Sequence, residues 1–176
     1  RKSPRVRPAV AAMAAFADQD RDTPPVVGGI VFVGSSSIRL WNLAHSFPNL
    51  PVTNRGFGGS QIIDCLKHAD LLVIKHKPRT VVFYAGDNDI AAGKTPQQVA
   101  EDFKAFVTRV HTALPTTRIA FIAIKPSILR WSMRWKMREA NTLIRKYCDG
   151  DDRLGFVDVD GPMLGWDEAP RKDLFM

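Results

Sequence analysis

The sequence predicts an α/β domain of three layers, α/β/α, on a central, mostly parallel sheet of five strands. Three observations lead there. Short apolar runs rich in Val, Ile and Phe alternate with longer stretches of helical period, and repeated β-α units put a parallel sheet between helices. The 176 residues have the length of one domain, enough to bury a core. Apolar residues at 45% and charged residues at 24% are an ordinary globular balance, which argues against disorder, collagen or coiled coil.

The leading segment, Arg1 to Asp18, reads as a short helix. Its basic start and Ala-Phe-Ala end also resemble an export signal, but the apolar part, Ala9 to Phe16, is alanine-rich without Leu or Ile. Residues 29–34, with Ile-Val-Phe-Val entered from Pro24, Pro25 and two glycines, read as a buried strand. Residues 51–54 form a weaker strand, 80–85 a strong one carrying Val-Val-Phe-Tyr, 119–124 a fourth and 155–159 a fifth. Between the third and fourth, Val99, Phe103, Phe106, Val107 and Val110 recur at helical spacing, opened by Thr95 with Pro96 at the first helical position. Met133, Met137, Ala140, Ile144 and Tyr147 make a second such stripe.

Several classes fall away. No apolar run is long enough to span a bilayer, so no integral membrane segment is expected. Cys65 and Cys148 cannot build a disulfide framework, and no Cys/His set has zinc spacing. The net charge of +7 permits a polyanion partner. However, Arg130, Arg134, Lys136, Arg138, Arg145 and Lys146 read as the solvated face of an amphipathic helix rather than a nucleic-acid surface. Gly93-Lys94-Thr95 opens a helix as a phosphate loop would, but Asn88 stands where that loop needs glycine. Gly56-Phe57-Gly58 likewise meets Gln61 where a dinucleotide fingerprint needs glycine.

In a parallel sheet, ligands collect at the carboxyl ends of the strands. The first three strands are followed there by Gly34-Ser35-Ser36-Ser37, by Asn54-Arg55-Gly56-Phe57-Gly58-Gly59-Ser60 and by Gly86-Asp87-Asn88-Asp89. A serine at a strand-to-helix turn can be an exposed nucleophile beside backbone N–H donors. A glycine turn brings up another N–H, and an Asn side chain can donate a third bond. One hydroxyl and three donors around one point would suit acyl transfer through a tetrahedral oxyanion.

These three turns resemble the first three blocks of the SGNH hydrolases, the GDSL esterases and lipases. The resemblance runs from about Pro24 to the end and looks closest to the small branch of platelet-activating-factor acetylhydrolase subunits. It implies a flavodoxin-like sheet and hydrolysis of a short acyl ester, acetyl foremost, of a small-molecule, aryl, lipid or carbohydrate alcohol, with no metal or organic cofactor. Ser36 would be the nucleophile and, through its N–H, an oxyanion donor; Gly59 would be the second donor and Asn88 the third.

Two departures stand out. The usual Asp of the first block is Ser35. The family's last signature, Asp-x-x-His, is missing: three residues before His45, His68, His76 and His111 stand Asn42, Cys65, Val73 and Thr108. The expectation is one domain, residues 1–176, that stops before the segment carrying its general base. The alternative is an incomplete hydrolase that binds esters without turning them over. Arg55, Lys125 and Trp131 are weaker substrate-binding candidates, with an ion pair, a turn and packing as their bland alternatives. Trp131 and Trp135 could together form an aromatic platform. Asp89 reads as a cap or a link between loops, and Cys65 with His68 as an unpromising thiol pair. Oligomeric state and compartment, cytoplasmic or exported, stay open.

Overall fold

The structure, a computed structural model, describes residues 6–174. The basic start of the leading segment and the last two residues, Phe175 and Met176, lie outside the described residues. In chain order the elements are α1 (Val6–Asp22), β1 (Ile30–Gly34), α2 (Ser36–Arg39), α3 (Leu43–Ser46), β2 (Val52–Gly56), α4 (Ile62–Lys67), α5 (Ala69–Leu72), β3 (Thr80–Tyr84), α6 (Asp87–Ala91), α7 (Pro96–Ala113), β4 (Arg118–Ile122), α8 (Arg134–Cys148) and β5 (Leu154–Val157). A 3-10 segment, Ile128–Met133, precedes α8.

The five strands run β2-β1-β3-β4-β5 and every neighbouring pair is parallel. This is the flavodoxin-like order, with its switch point between β1 and β3. The strands lie within two residues of the predicted runs. β2 reaches Gly56, beyond Asn54, because Asn54, Arg55 and Gly56 pair with Phe32, Val33 and Gly34. β5 stops at Val157 because the chain turns at Asp158, whose carboxylate accepts from the Asp160 N–H.

Alternation along each strand sorts the core into two parts. Val31, Val33, Val81, Phe83, Ile119 and Phe121 point to one face and are buried with residues of α4, α5, α7 and α8. Phe83 lies 4.6 Å from Phe106 and Phe103 4.7 Å from Phe121, ring centre to ring centre. The helical stripe supplies Val99, Phe103, Phe106, Val107 and Val110 to this core, and Thr95 and Gln98 close α7 with a reciprocal capping box. On the opposite face Phe32 and Tyr84 are covered by Ile38 and Leu43 of α2 and α3. Val82 and Ile122 are only partly buried there, and Val157 at the far strand is 46% exposed. The leading helix α1 docks on the first face, with Met13 in the core.

One backbone contact sets the sheet's carboxyl edge. Gly34 has φ +149°, and a Cβ at that position would lie 1.8 Å from the Tyr84 carbonyl oxygen. Glycine lets β1 end directly against β3, where the Ser35 N–H donates to that oxygen at 3.0 Å. Gly34→Ala is therefore expected to cost about 3 kcal/mol or more, from steric overlap and backbone strain together. Urea unfolding midpoints of the two proteins measure it.

Candidate active site

Ser36 is the first residue of α2, half-buried, one residue past the buried Ser35. The sequence fixes this short helix from below. Gly56 of β2 lies so close that a Cβ would stand 2.2 Å from the Arg39 backbone nitrogen. Asn54 donates to the Ile38 carbonyl at 2.7 Å and the Trp41 carbonyl at 3.3 Å, and accepts from the Gly56 N–H at 2.9 Å. Two of these bonds tie the end of α2 to β2, and the third, within β2, holds the Asn54 carboxamide in place.

The turns after β2 and β3 are joined in the same way. Gly59 is exposed, with φ +72°. Next to it, the Ser60 carbonyl accepts from the Asn88 side-chain nitrogen at 3.0 Å. Asp89, with no exposed surface, accepts from the Ile62 N–H at 3.2 Å and from Lys94 at 2.8 Å. Lys94 also reaches Asp102 at 2.5 Å. Burial pushes the Asp89 carboxyl up, against the pull of Lys94 and the Ile62 N–H. The buried carboxylate caps α4 and clamps the second turn to the third.

A carboxamide has one acceptor and two N–H donors. The Asn88 oxygen accepts from Arg130 at 2.9 Å, and one of its N–H groups goes to Ser60. The other is left over. The backbone N–H groups of Ser36 and Gly59 likewise donate to no protein acceptor among the described residues. One half-buried hydroxyl and three uncommitted N–H donors therefore lie on turns at one sheet edge, beside the β1/β3 switch point. A cavity of about 290 Å³ starts one residue away, lined by Ser37, Ile38, Trp41, Tyr84, Ile122 and Lys125 among others, while Ser36, Gly59 and Asn88 themselves do not line it. A larger hollow of about 340 Å³ lies between α8 and β5, walled by Arg138–Asp160 and Arg145–Asp158 ion pairs, away from these turns.

The weaker candidates fall in different places. Arg55 is 1% exposed; its guanidinium pairs with Asp20, donates to Gln19 at 2.8 Å and lies over the Phe16 ring. It fastens α1 to β2 and is not free for a substrate. Lys125 lines the cavity beside Ser37. Trp131 is half-buried in the 3-10 segment with Arg134 4.7 Å from its ring centre, while exposed Trp135 carries Lys136 at 5.4 Å, so each ring has its own cation. Lys94 is taken up by Asp89 and Asp102, which removes it from any phosphate. Cys65 is fully buried, and burial pushes its thiol far up, away from the reactive thiolate.

No hydrogen bond joins any of the four histidines to Ser36, Gly59 or Asn88 among the described residues. His76 and His111 bond the Leu71 and Thr117 carbonyls near the starts of β3 and β4. His45 is exposed on α3, and His68 joins α4 to α5. One residue of the edge escaped sequence reasoning. Arg130, grouped above with a solvated basic helix, sits at a non-helical kink (φ −121°, ψ 23°) that interrupts the 3-10 segment. From there it reaches Asp87 at 2.7 Å and Asn88. No periodicity marks such a kink.

Comparison with known proteins bears on this geometry. A family model described as the GDSL-like lipase/acylhydrolase family matches residues 37–176. Human platelet-activating factor acetylhydrolase IB subunit alpha1 is 29% identical over 151 residues, covering 82% of this chain and 63% of that protein. This chain thus spans less than two-thirds of the curated relative. A GDSL-like lipase from Bacteroides thetaiotaomicron superposes with a TM-score of 0.79 at 20% identity, covering 93% of this chain and 86% of that one. A carbohydrate esterase family 3 protein from Talaromyces cellulolyticus gives 0.58 at 18%, covering 82% and 88%. These two likenesses concern the fold.

Asp89→Ala is expected to cost about 1–3 kcal/mol, because it strands the buried Ile62 N–H, while Lys94 keeps Asp102. Chemical denaturation reads the loss. A cost within about 0.5 kcal/mol, as for an ordinary surface change, would show that the clamp is dispensable.

Proposed function

The chain belongs to the GDSL-like lipase/acylhydrolase family, and from that premise we propose that it is a serine esterase acting on short acyl esters. In this reading the Ser36 hydroxyl oxygen attacks the ester carbonyl. Its proton passes to a base and then to the departing alcohol as the C–O bond breaks. Water, deprotonated by the same base, then releases the acid from Ser36. The negative oxygen of each tetrahedral intermediate is held by the N–H groups of Ser36 and Gly59 and the spare N–H of Asn88. The observation that carries the proposal is that these three donors lack protein acceptors on turns flanking the switch point. The family match starts at residue 37, so the role of Ser36 rests on that position and not on the match.

Acetyl is the acyl group proposed, after the acetylhydrolase named among the relatives. The alcohol is a lipid or a sugar; the carbohydrate esterase among the neighbours shares the fold. The base is proposed to be a histidine from outside these 176 residues, because none of the four within them bonds Ser36 and two are engaged near the starts of β3 and β4. Without it a serine hydroxyl is a poor nucleophile, and the donors alone retain only a small part of the catalysis. The same observation favours a second reading, a chain that binds esters without cleaving them.

Imidazole supplied in solution can stand in for the base. With p-nitrophenyl acetate, the esterase reading expects imidazole to raise the rate well above that of Ser36→Ala under the same conditions. No Ser36-dependent rate, either with imidazole or in a longer form of the chain, would leave the binding-only reading. Asn88→Ala is expected to lose on the order of 10²- to 10³-fold in turnover, as for other oxyanion donors. A rate close to wild type would remove Asn88 from the site.

A further inference from the structure

We propose that Arg130 is a positioning residue that sets the orientation of the Asn88 carboxamide. The inference deepens the esterase reading and rests on Asn88 being an oxyanion donor. Its geometry is specific. Arg130 gives one nitrogen to the Asp87 carboxylate at 2.7 Å and the other to the Asn88 side-chain oxygen at 2.9 Å. The guanidinium is a planar fork with fixed donor directions, so its anchorage on Asp87 fixes what it presents to Asn88. Both partners are consecutive residues in the first turn of α6, whereas Arg130 arrives from the loop after β4.

The consequence is a locked amide. A flip about the last bond of Asn88 would turn its NH2 toward the Arg130 donors and its oxygen toward the Ser60 carbonyl. Donor would then face donor and acceptor face acceptor. With Arg130 in place, the amide has one stable orientation, and that orientation leaves a single N–H uncommitted. The cation also draws electron density from the amide oxygen, which makes the remaining N–H a better donor. Without Arg130, only the Ser60 bond restrains the group. The guanidinium is also no bystander to the fold: Arg130 and Asp87 are both largely covered, at 28% and 18% side-chain exposure.

The test compares wild type, Arg130→Met, Arg130→Lys, Asn88→Ala and the Arg130→Met/Asn88→Ala double variant on p-nitrophenyl acetate with imidazole present. Side-chain amide spectra of 15N-labelled protein accompany the kinetics, with the Asn88 signals assigned by their loss in Asn88→Ala. Arg130→Met is expected to lower kcat by about 10- to 100-fold, the scale of a misplaced catalytic contact, with KM little changed. Arg130→Lys recovers part of the loss. In the Asn88→Ala background the same change adds less than about threefold, because two residues acting as one unit are not additive. In the spectra, the Asn88 amide pair shifts and exchanges faster with water in Arg130→Met. A full Arg130→Met effect persisting without Asn88 would overturn the proposal, since the arginine would then act on substrate or on the fold. So would an Asn88 amide signal unchanged by the substitution, and this reading needs no turnover. An Asn88→Ala variant with wild-type turnover would defeat the donor reading of Asn88 itself, while the spectra still report whether Arg130 holds the carboxamide.

Discussion

The close meeting of β1 and β3 at their carboxyl ends governs the rest of the site. Gly34 stands opposite Tyr84 in the ladder, and no side chain fits between its Cα and the Tyr84 oxygen. Adjacent strands are about 4.8 Å apart, so residues leaving their ends start as neighbours. Ser36 follows Gly34 by two positions, and Asn88 follows Tyr84 by four. The chain leaves β1 toward β2 on one side and later returns to β3 on the other, which parts the loops and opens a crevice. A larger residue at position 34 would push these starting points apart, and every hydrogen bond further along the loops would have to absorb the shift.

Beyond the strand ends the backbone has no ladder to satisfy it, and buried polar groups must find partners elsewhere. Short polar side chains supply them. Asn54 holds the end of α2, Asp89 caps α4 and holds Lys94, and Asn88 joins the second turn through Ser60. The Asn54–Ile38, Asp89–Ile62 and Asn88–Ser60 links cross between chain segments, while Asp89–Lys94 closes within the one after β3. The edge is therefore rigid as a set, which suits a site whose donors must be in place before charge develops. α2 has only four residues, so its backbone donors act as individual N–H groups, held by their anchors, more than as the end of a long helix.

How much of this was legible in the sequence follows from what each feature depends on. The strands and α7 were readable because their signals are local: β-branched runs for β1 and β3, and Thr95-Pro96 with a five-residue stripe for α7. The strand ends placed Ser36, Gly59 and Asn88 on one edge without any distance. Arg55 was ambiguous because its partner, Asp20, is 35 positions away on a helix whose docking no local pattern reveals. Trp131 and Trp135 have helical spacing, but the 3-10 geometry of Ile128–Met133 breaks the phase between them. Arg130 was misassigned for the same reason. Its neighbours in sequence are basic and solvated, while its own direction is set by one kinked residue.

The positive charge of the chain finds its place in that picture. A nucleic-acid surface needs unpaired cations along one track. Here Arg138 and Arg145 of α8 pair with Asp160 and Asp158 at 2.9 and 2.6 Å, drawing the turn after β5 onto the helix. Arg134 and Lys136 lie over tryptophan rings, and Arg130 faces Asp87. What looks in one dimension like a basic strip is divided in three: Arg130, Arg138 and Arg145 go to the loops after β3 and β5, and Arg134 and Lys136 to aromatic rings of their own segment. Arg130, Arg138 and Arg145 thereby fasten loops at the carboxyl edge of the sheet, which is where the serine and its donors stand.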